Sequence, residues 1–315
     1  MHYTHERNWG CRISDEFTYR DMRLLVMENE IVRVTILLDK GTDIYEFLHK
    51  PSDTDFMWRT PKGLRPPMKS LDMIAPSAGP FSDFYEGGWQ ECMPNGGNPC
   101  EYKGAEMGLH GEVWGVPWRC QITEDDPEII QAKTWVRTNR TPFLLEKTFT
   151  LRAGSGALEI DEALTNEGAE PMDLMWGHHP ALGEEFLKRD CVVDCAARTV
   201  VSDVSVGKES RFEAGQTFDW PVGVAHNGAE ADVSVVTPPE ANVDDMLYLT
   251  DLAEGWWAVT SQRDELGFGI SFDLEVFKHI WMWMPLGGGT GYPGFGRFYT
   301  LAMEPFSSFR RSPAD

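Results

Sequence analysis

The stretch Leu145-Glu146-Lys147-Thr148-Phe149-Thr150-Leu151-Arg152-Ala153-Gly154-Ser155-Gly156-Ala157-Leu158-Glu159-Ile160-Asp161-Glu162-Ala163-Leu164-Thr165 decides the fold class. Leu145, Phe149 and Leu151 share one side of an extended chain, while Glu146, Thr148, Thr150 and Arg152 take the other. That is the pattern of a half-buried strand. Ala153-Gly154-Ser155-Gly156 supplies turn residues, after which Leu158, Ile160 and Leu164 alternate with Glu159, Asp161 and Thr165. The two segments predict an antiparallel hairpin.

Outward from this hairpin, short runs of the same kind predict strands over 30–38, 44–48, 129–137, 231–236, 256–261, 268–274, 280–284 and 299–303. Clusters of Gly, Pro, Asn and Asp separate them. With 30 Gly and 20 Pro, few windows can sustain a helix of ten residues, and the best is a short one near 70–73. No linker, charge run or internal repeat divides the chain. The expectation is an all-β chain, one domain over 1–315, built as two large, packed, mostly antiparallel sheets.

The bulk numbers narrow the partners. Hydrophobic residues make up 42% and charged residues 25%, an ordinary globular balance. A net charge of -22 repels phosphate backbones and anionic lipid, and no basic cluster interrupts it, so nucleic acid and membrane are poor partners. A neutral small molecule fits best. The N-terminal residues lack an apolar signal core and no long apolar run follows, which predicts a cytoplasmic chain. Six cysteines, spread thinly, read as reduced and structural. Cys191 and Cys195 have zinc-like spacing, but no second Cys/His pair stands nearby.

Three segments can carry chemistry. Gly108-Leu109-His110-Gly111-Glu112 sets a histidine beside a glycine that permits close approach, with aromatics and a strand to follow. Met175-Trp176-Gly177-His178-His179-Pro180 puts two histidines at the end of an apolar strand, before a proline that cannot continue the ladder, and their side chains must point to opposite faces. Phe298-Tyr299-Thr300-Leu301-Ala302-Met303-Glu304-Pro305 ends an apolar run on a carboxylate. Turned inward, such a carboxylate becomes a usable general base.

In order and spacing these segments resemble the aldose 1-epimerases, the galactose mutarotase-like superfamily, and within it a divergent branch. The likeness covers nearly the whole chain. Glu30-Ile31-Val32-Arg33-Val34 and Asp39-Lys40-Gly41-Thr42-Asp43-Ile44 look like the family's opening strands and turn, followed by Leu109-His110-Gly111 with Trp118 downstream, His179-Pro180, and Glu304-Pro305. The resemblance implies a β-supersandwich and sugar ring opening without metal or other cofactor. It assigns Glu304 as general base, His179 as general acid and His110 as a second, substrate-polarising histidine. Asp244 looks like the aspartate that holds sugar hydroxyls, with Asp245 nearly as good a match, and Arg59 stands in for a substrate arginine. Where the family's Asn-Arg motif is expected, this chain has Gly87-Gly88-Trp89-Gln90-Glu91-Cys92, so Gln90 or Glu91 is expected to read hydroxyls and the sugar's identity stays open. Of 12 tryptophans, Trp89 and Trp176 adjoin the site motifs and are the expected sugar contacts, together with His178.

Three other functions compete. One is a non-catalytic sugar-binding protein on the same scaffold. Another is a metal-dependent isomerase or lyase whose ligands would be His110 and Glu112, two apart on a strand and so on one face, with His178 or His179. The third is the same epimerase chemistry on a sugar phosphate, gathered by Arg59, Arg65 and Lys69. A homodimer is compatible with all of these.

Overall fold

The computed structural model describes residues 7–66 and 78–310; the helix expected near 70–73 and Lys69 lie outside them. The described residues form two compact units. The first runs to Met57 and resumes from Leu64 to Leu174; the second holds Trp58–Gly63 and runs on from Met175.

The first unit contains strands β1 (Arg12–Ser14), β2 (Thr18–Tyr19), β3 (Met22–Glu28), β4 (Val32–Leu37), β5 (Asp43–His49), β6 (Thr54–Asp55), β7 (Trp89–Cys92), β8 (Cys100–Tyr102), β9 (Ala105–Met107), β10 (Arg119–Asp125), β11 (Ile129–Arg137), β12 (Phe143–Arg152) and β13 (Leu158–Asn166), with one short helix, α1 (Gly79–Phe84). Its strands make an antiparallel run β1-β3-β4-β5-β7 and a four-stranded meander β10-β11-β12-β13. The second unit contains β14 (Gly177–Leu182), α2 (Glu184–Leu187), β15 (Cys191–Cys195), β16 (Thr199–Ser202), β17 (Thr217–Asp219), β18 (Val222–Val224), β19 (Glu230–Asp232), β20 (Val243–Thr250), β21 (Trp256–Ser261), β22 (Gly267–Ser271), β23 (His279–Leu286) and β24 (Leu301–Phe306). Here the main run is β14-β24-β23-β20-β16-β17, beside a three-stranded sheet β15-β21-β22. The all-β expectation holds. No helix among the described residues is long and apolar enough to cross a membrane.

The deciding hairpin forms as β12 and β13, with Leu145 opposite Leu164, Phe149 opposite Ile160 and Leu151 opposite Leu158. Leu145, Phe149 and Leu151 are buried. The same face also carries Lys147, a cation in the middle of the apolar row. It is tolerated because the Glu91 carboxylate pairs with it, Glu162 lies 3.9 Å away and the Trp118 ring lies 4.9 Å below the ammonium.

Two local expectations are corrected. The strand expected over 231–236 stops at Asp232, whose carboxylate accepts the amide of Ser234 at 2.9 Å and its hydroxyl at 2.6 Å, closing a turn instead of extending the ladder. The two histidines do not end a strand either, since β14 continues through Pro180 to Leu182. Its pairing with β24 is made at Gly177–Phe306 and again at Ala181–Ala302 and Leu182–Leu301. Between these points the ladder is open, where Pro180 has no amide to give.

Candidate functional site

The register of β14 and β24 builds the site. Gly177 stands opposite Phe306 and Ala181 opposite Ala302, so His179 stands opposite Glu304. Their side chains meet, Nε2 to Oε1, at 3.4 Å, with His179 5% and Glu304 2% exposed. A buried imidazole beside a buried carboxylate can hold one proton and pass it on. Gly177 is required one step away, because a Cβ there would run into the Phe306 ring.

Cross-strand pairing fixes what else shares this face. Trp281 lies opposite Glu304 and Trp283 opposite Ala302. On the far side of β23, Tyr248, Met246 and Asp244 lie opposite Trp281, Trp283 and Pro285. Directly paired residues point the same way, so His179, Glu304, Trp283 and Asp244 face one side of this sheet. Asp245 faces the other. There it accepts the Ser210 hydroxyl at 2.9 Å, the Arg211 amide at 2.8 Å and the Arg211 guanidinium at 2.6 Å, which makes it a buried structural anion. Between the two aspartates that the sequence left in competition, Asp244 stands on the His179 face.

Aromatic rings frame the histidine. The Trp283 ring meets His179 edge-on at 5.6 Å; Trp58 lies 6.2 Å from Trp283 and 4.8 Å from Phe298. Trp58 is held there by its own amide, which donates to the Ala181 carbonyl at 2.8 Å. Trp58 and Phe298 are buried whereas Trp283 is half-buried, so Trp283 is the accessible ring of this cluster. Arg59 follows Trp58, its guanidinium donating to the Trp58 carbonyl at 3.3 Å. His178 and Trp176 each pack on Phe277 at 5.5 Å, on the reverse side of the strand from His179. Period two separates them from His179 and Glu304.

The remaining expected residues lie in the first unit. His110 does not sit in a strand: it has φ 60°, Gly111 has φ 72°, and the chain turns there before a single 3-10 turn at Val113–Gly115. His110 Nδ1 lies 2.6 Å from the Gly96 carbonyl, which can only accept, so that nitrogen carries the proton, and the ring rests edge-on against Phe81 at 4.4 Å. Glu112 turns away to accept the amides of Asn139 at 2.7 Å and Arg140 at 3.2 Å, and burial pushes its pKa up. The expected strand face shared by His110 and Glu112 is thus replaced by a turn. Gln90 is fully buried and donates to the Gly87 carbonyl at 2.5 Å and to Glu86 at 3.3 Å; Glu86 in turn holds Lys40 at 2.7 Å. Glu91 is committed to Lys147, and half-buried Trp89 stands opposite Ile44. All six cysteines are free thiols, and burial pushes Cys11, Cys191 and Cys195 up to about 11 and Cys120 up to about 12, too high for a thiolate at neutral pH.

One element of the site escaped sequence reading. The connection from β23 to β24 reads Gly287-Gly288-Gly289-Thr290-Gly291-Tyr292-Pro293-Gly294-Phe295-Gly296, with six glycines in ten residues. That density was the available signal. Side chains at Gly288 would press on Val243 and Asp244, and at Gly294 on Phe298. The loop therefore rests on both Asp244 and the ring cluster.

Comparison with known proteins agrees with this architecture. A Klebsiella pneumoniae protein named, by inference, an aldose 1-epimerase superposes with a TM-score of 0.70 at 13% identity, over 95% of this chain and 75% of its own. A galactose mutarotase-like protein from Clostridium acetobutylicum gives 0.63 at 14% identity, over 97% and 91%, and one from Lactobacillus casei 0.57 at 13%, over 90% and 87%. At such identities the likeness establishes the galactose mutarotase-like β-sandwich fold. No curated protein matches the sequence. Residues 19–314 match the family described as "Domain of unknown function (DUF4432)", and the chain belongs to that family.

Proposed function

We propose that this chain is a carbohydrate-active isomerase of the aldose 1-epimerase type, acting over 1–315 as one functional domain, with Glu304 as base and His179 as acid. The observation that carries the proposal is the 3.4 Å approach of two buried groups of complementary acid/base character, opposite one another on adjacent strands.

The chemistry follows from placing a cyclic aldose over the pair. Its anomeric hydroxyl and its ring oxygen are both bonded to C1, so neighbouring side chains on one face suffice to reach both. Glu304 takes the proton of the anomeric hydroxyl while protonated His179 delivers one to the ring oxygen. The C1–O5 bond breaks, leaving a carbonyl at C1 and a hydroxyl at C5. Rotation about C1–C2 presents the other carbonyl face, and on closure the C5 hydroxyl returns its proton to His179 while Glu304 gives its proton to the new anomeric oxygen. Trp283, beside His179, offers a flat surface for the apolar C–H face of the ring, and Asp244 on the same face accepts hydrogen bonds from hydroxyls. The strands that carry Glu304, Trp283 and Asp244 are backbone-paired, which holds these groups without reorganisation.

The test is the rate at which a freshly dissolved aldose approaches anomeric equilibrium, followed by NMR exchange over a panel of hexoses and pentoses. His179→Ala and Glu304→Gln are each expected to lower the acceleration by about 10²–10⁴-fold, and the wild-type rate to follow a bell-shaped pH profile. Wild-type rates in either variant remove the assignment. Tight binding of a sugar with no acceleration would instead favour the non-catalytic binding protein.

A further inference from the structure

The acid/base pair is closed at one end and open at the other. Level with Glu304 on β23, and two residues beyond it on β24, the face is filled: Trp281 and Phe306 stack at 3.8 Å, Tyr248 meets Trp281 at 5.7 Å, and all three are buried. In the opposite direction come half-buried Trp283, then Asp244, then the glycine-rich loop. Glu304 is level with Trp281 and Asp244 with Pro285, an offset of four residues, or about 13 Å along the strands. That is longer than one sugar ring.

The loop itself is pinned at its base and exposed at its tip. The Leu286–Tyr299 bridge and the Gly287 amide, donating to the Phe298 carbonyl at 3.0 Å, close its neck. The Thr290 hydroxyl donates to Glu209 at 2.6 Å, while the Glu209 carbonyl accepts the Asp244 amide at 3.2 Å, so the loop and Asp244 share one anchor. Beyond it, Cβ atoms at Gly291 and Gly296 would meet nothing within 4 Å. The tip presents Tyr292 and Phe295, 54% and 60% exposed, 6.5 Å apart, with the Lys62 ammonium 5.1 Å from the Tyr292 ring. Two exposed aromatics on a loop that rests on Asp244 suit a sugar ring, which offers apolar C–H faces and a polar rim.

Building on the ring-opening function proposed above, we infer that the substrate is the reducing end of a di- or oligosaccharide: the reducing sugar lies on His179, Glu304 and Trp283, and the next sugar extends past Asp244 onto Tyr292 and Phe295.

The experiment compares kcat/KM for cellobiose, maltose and lactose with that for glucose and galactose, in the wild type and in the Tyr292→Ala/Phe295→Ala double variant. Ligand-observed NMR measures binding of the same sugars in parallel. At least one disaccharide is expected to be preferred over its monosaccharide, and the double variant to reduce that ratio by about five- to tenfold. Tyr292→Phe/Phe295→Tyr, which keeps both rings, is expected to retain the preference, and unchanged melting temperatures show that the fold survives. A wild type without disaccharide preference, or a double variant that keeps it, overturns the inference while leaving His179 and Glu304 as the catalytic pair. Disaccharide binding that depends on the two rings, with no ring opening of any sugar, overturns the catalytic assignment and supports the second-ring site. Absence of disaccharide binding overturns the inference outright.

Discussion

At the scale of single residues, neighbours in sequence have opposite physics. Asp244 and Asp245 differ in nothing that a one-dimensional reading can weigh, yet strand alternation sends one toward His179 and the other into an Arg211 clamp. Asp245→Ala is expected to cost about 3 kcal/mol, because the half-buried Arg211 guanidinium loses its counter-charge and the Ser210 hydroxyl its acceptor, and urea unfolding measures this. Asp244→Ala is expected to leave stability within about 1 kcal/mol while lowering kcat/KM for any sugar that the protein opens. The reverse outcome would mean that the faces are exchanged. Gly111→Ala is a second expectation at this scale. With φ 72° and the Met93 carbonyl where the Cβ would stand, the substitution is expected to cost more than about 1 kcal/mol and to disturb His110, read as a lowered melting temperature.

At the scale of elements, β23 shows how one strand face divides between stability and function. Trp281 and Trp283 point the same way, but Trp281 is sealed between Phe306 and Tyr248 whereas Trp283 stays half-buried beside His179. Trp281→Ala is expected to destabilise by about 3–5 kcal/mol through the cavity it leaves. Trp283→Ala is expected to cost less and to raise KM, so equal losses of stability in the two variants would contradict this division. The strands themselves were readable because alternation is local: the limits of β11 and β21 match the periodic pattern residue for residue, and β12 pairs with β13 as the expected antiparallel hairpin. Where a side chain competes for the backbone, as Asp232 does, or a left-handed turn intervenes, as at His110 and Gly111, periodicity carries no warning.

At the scale of the whole molecule, the acidic composition and the buried titratable groups set how stability responds to pH. His279 is half-buried, its Nδ1 is sealed off and lacks a hydrogen-bond partner among the described residues, and burial lowers its pKa below the usual 6.5. A depressed folded-state pKa means that the unfolded chain binds the proton first. The stability from neutral His279 is therefore present above about pH 6.5 and lost as pH falls through the folded-state value. Glu112 has the opposite sign. With its pKa raised by burial, it favours the fold when protonated and loses that contribution as pH rises from its ordinary value of 4.5. Between pH 7.5 and 5.5 the fall in melting temperature is expected to be smaller in His279→Gln than in the wild type; an equal fall would show that His279 does not contribute. By itself the sequence determined the all-β class, most strand positions and the order of the His and Glu motifs, because hydrophobic alternation and turn chemistry act between near neighbours. The tertiary structure alone decided that His179 meets Glu304, that Asp244 rather than Asp245 joins their face, and that a glycine-rich loop stands at the open end. Those outcomes depend on the register between strands far apart in sequence, where a shift of one residue reverses every side chain.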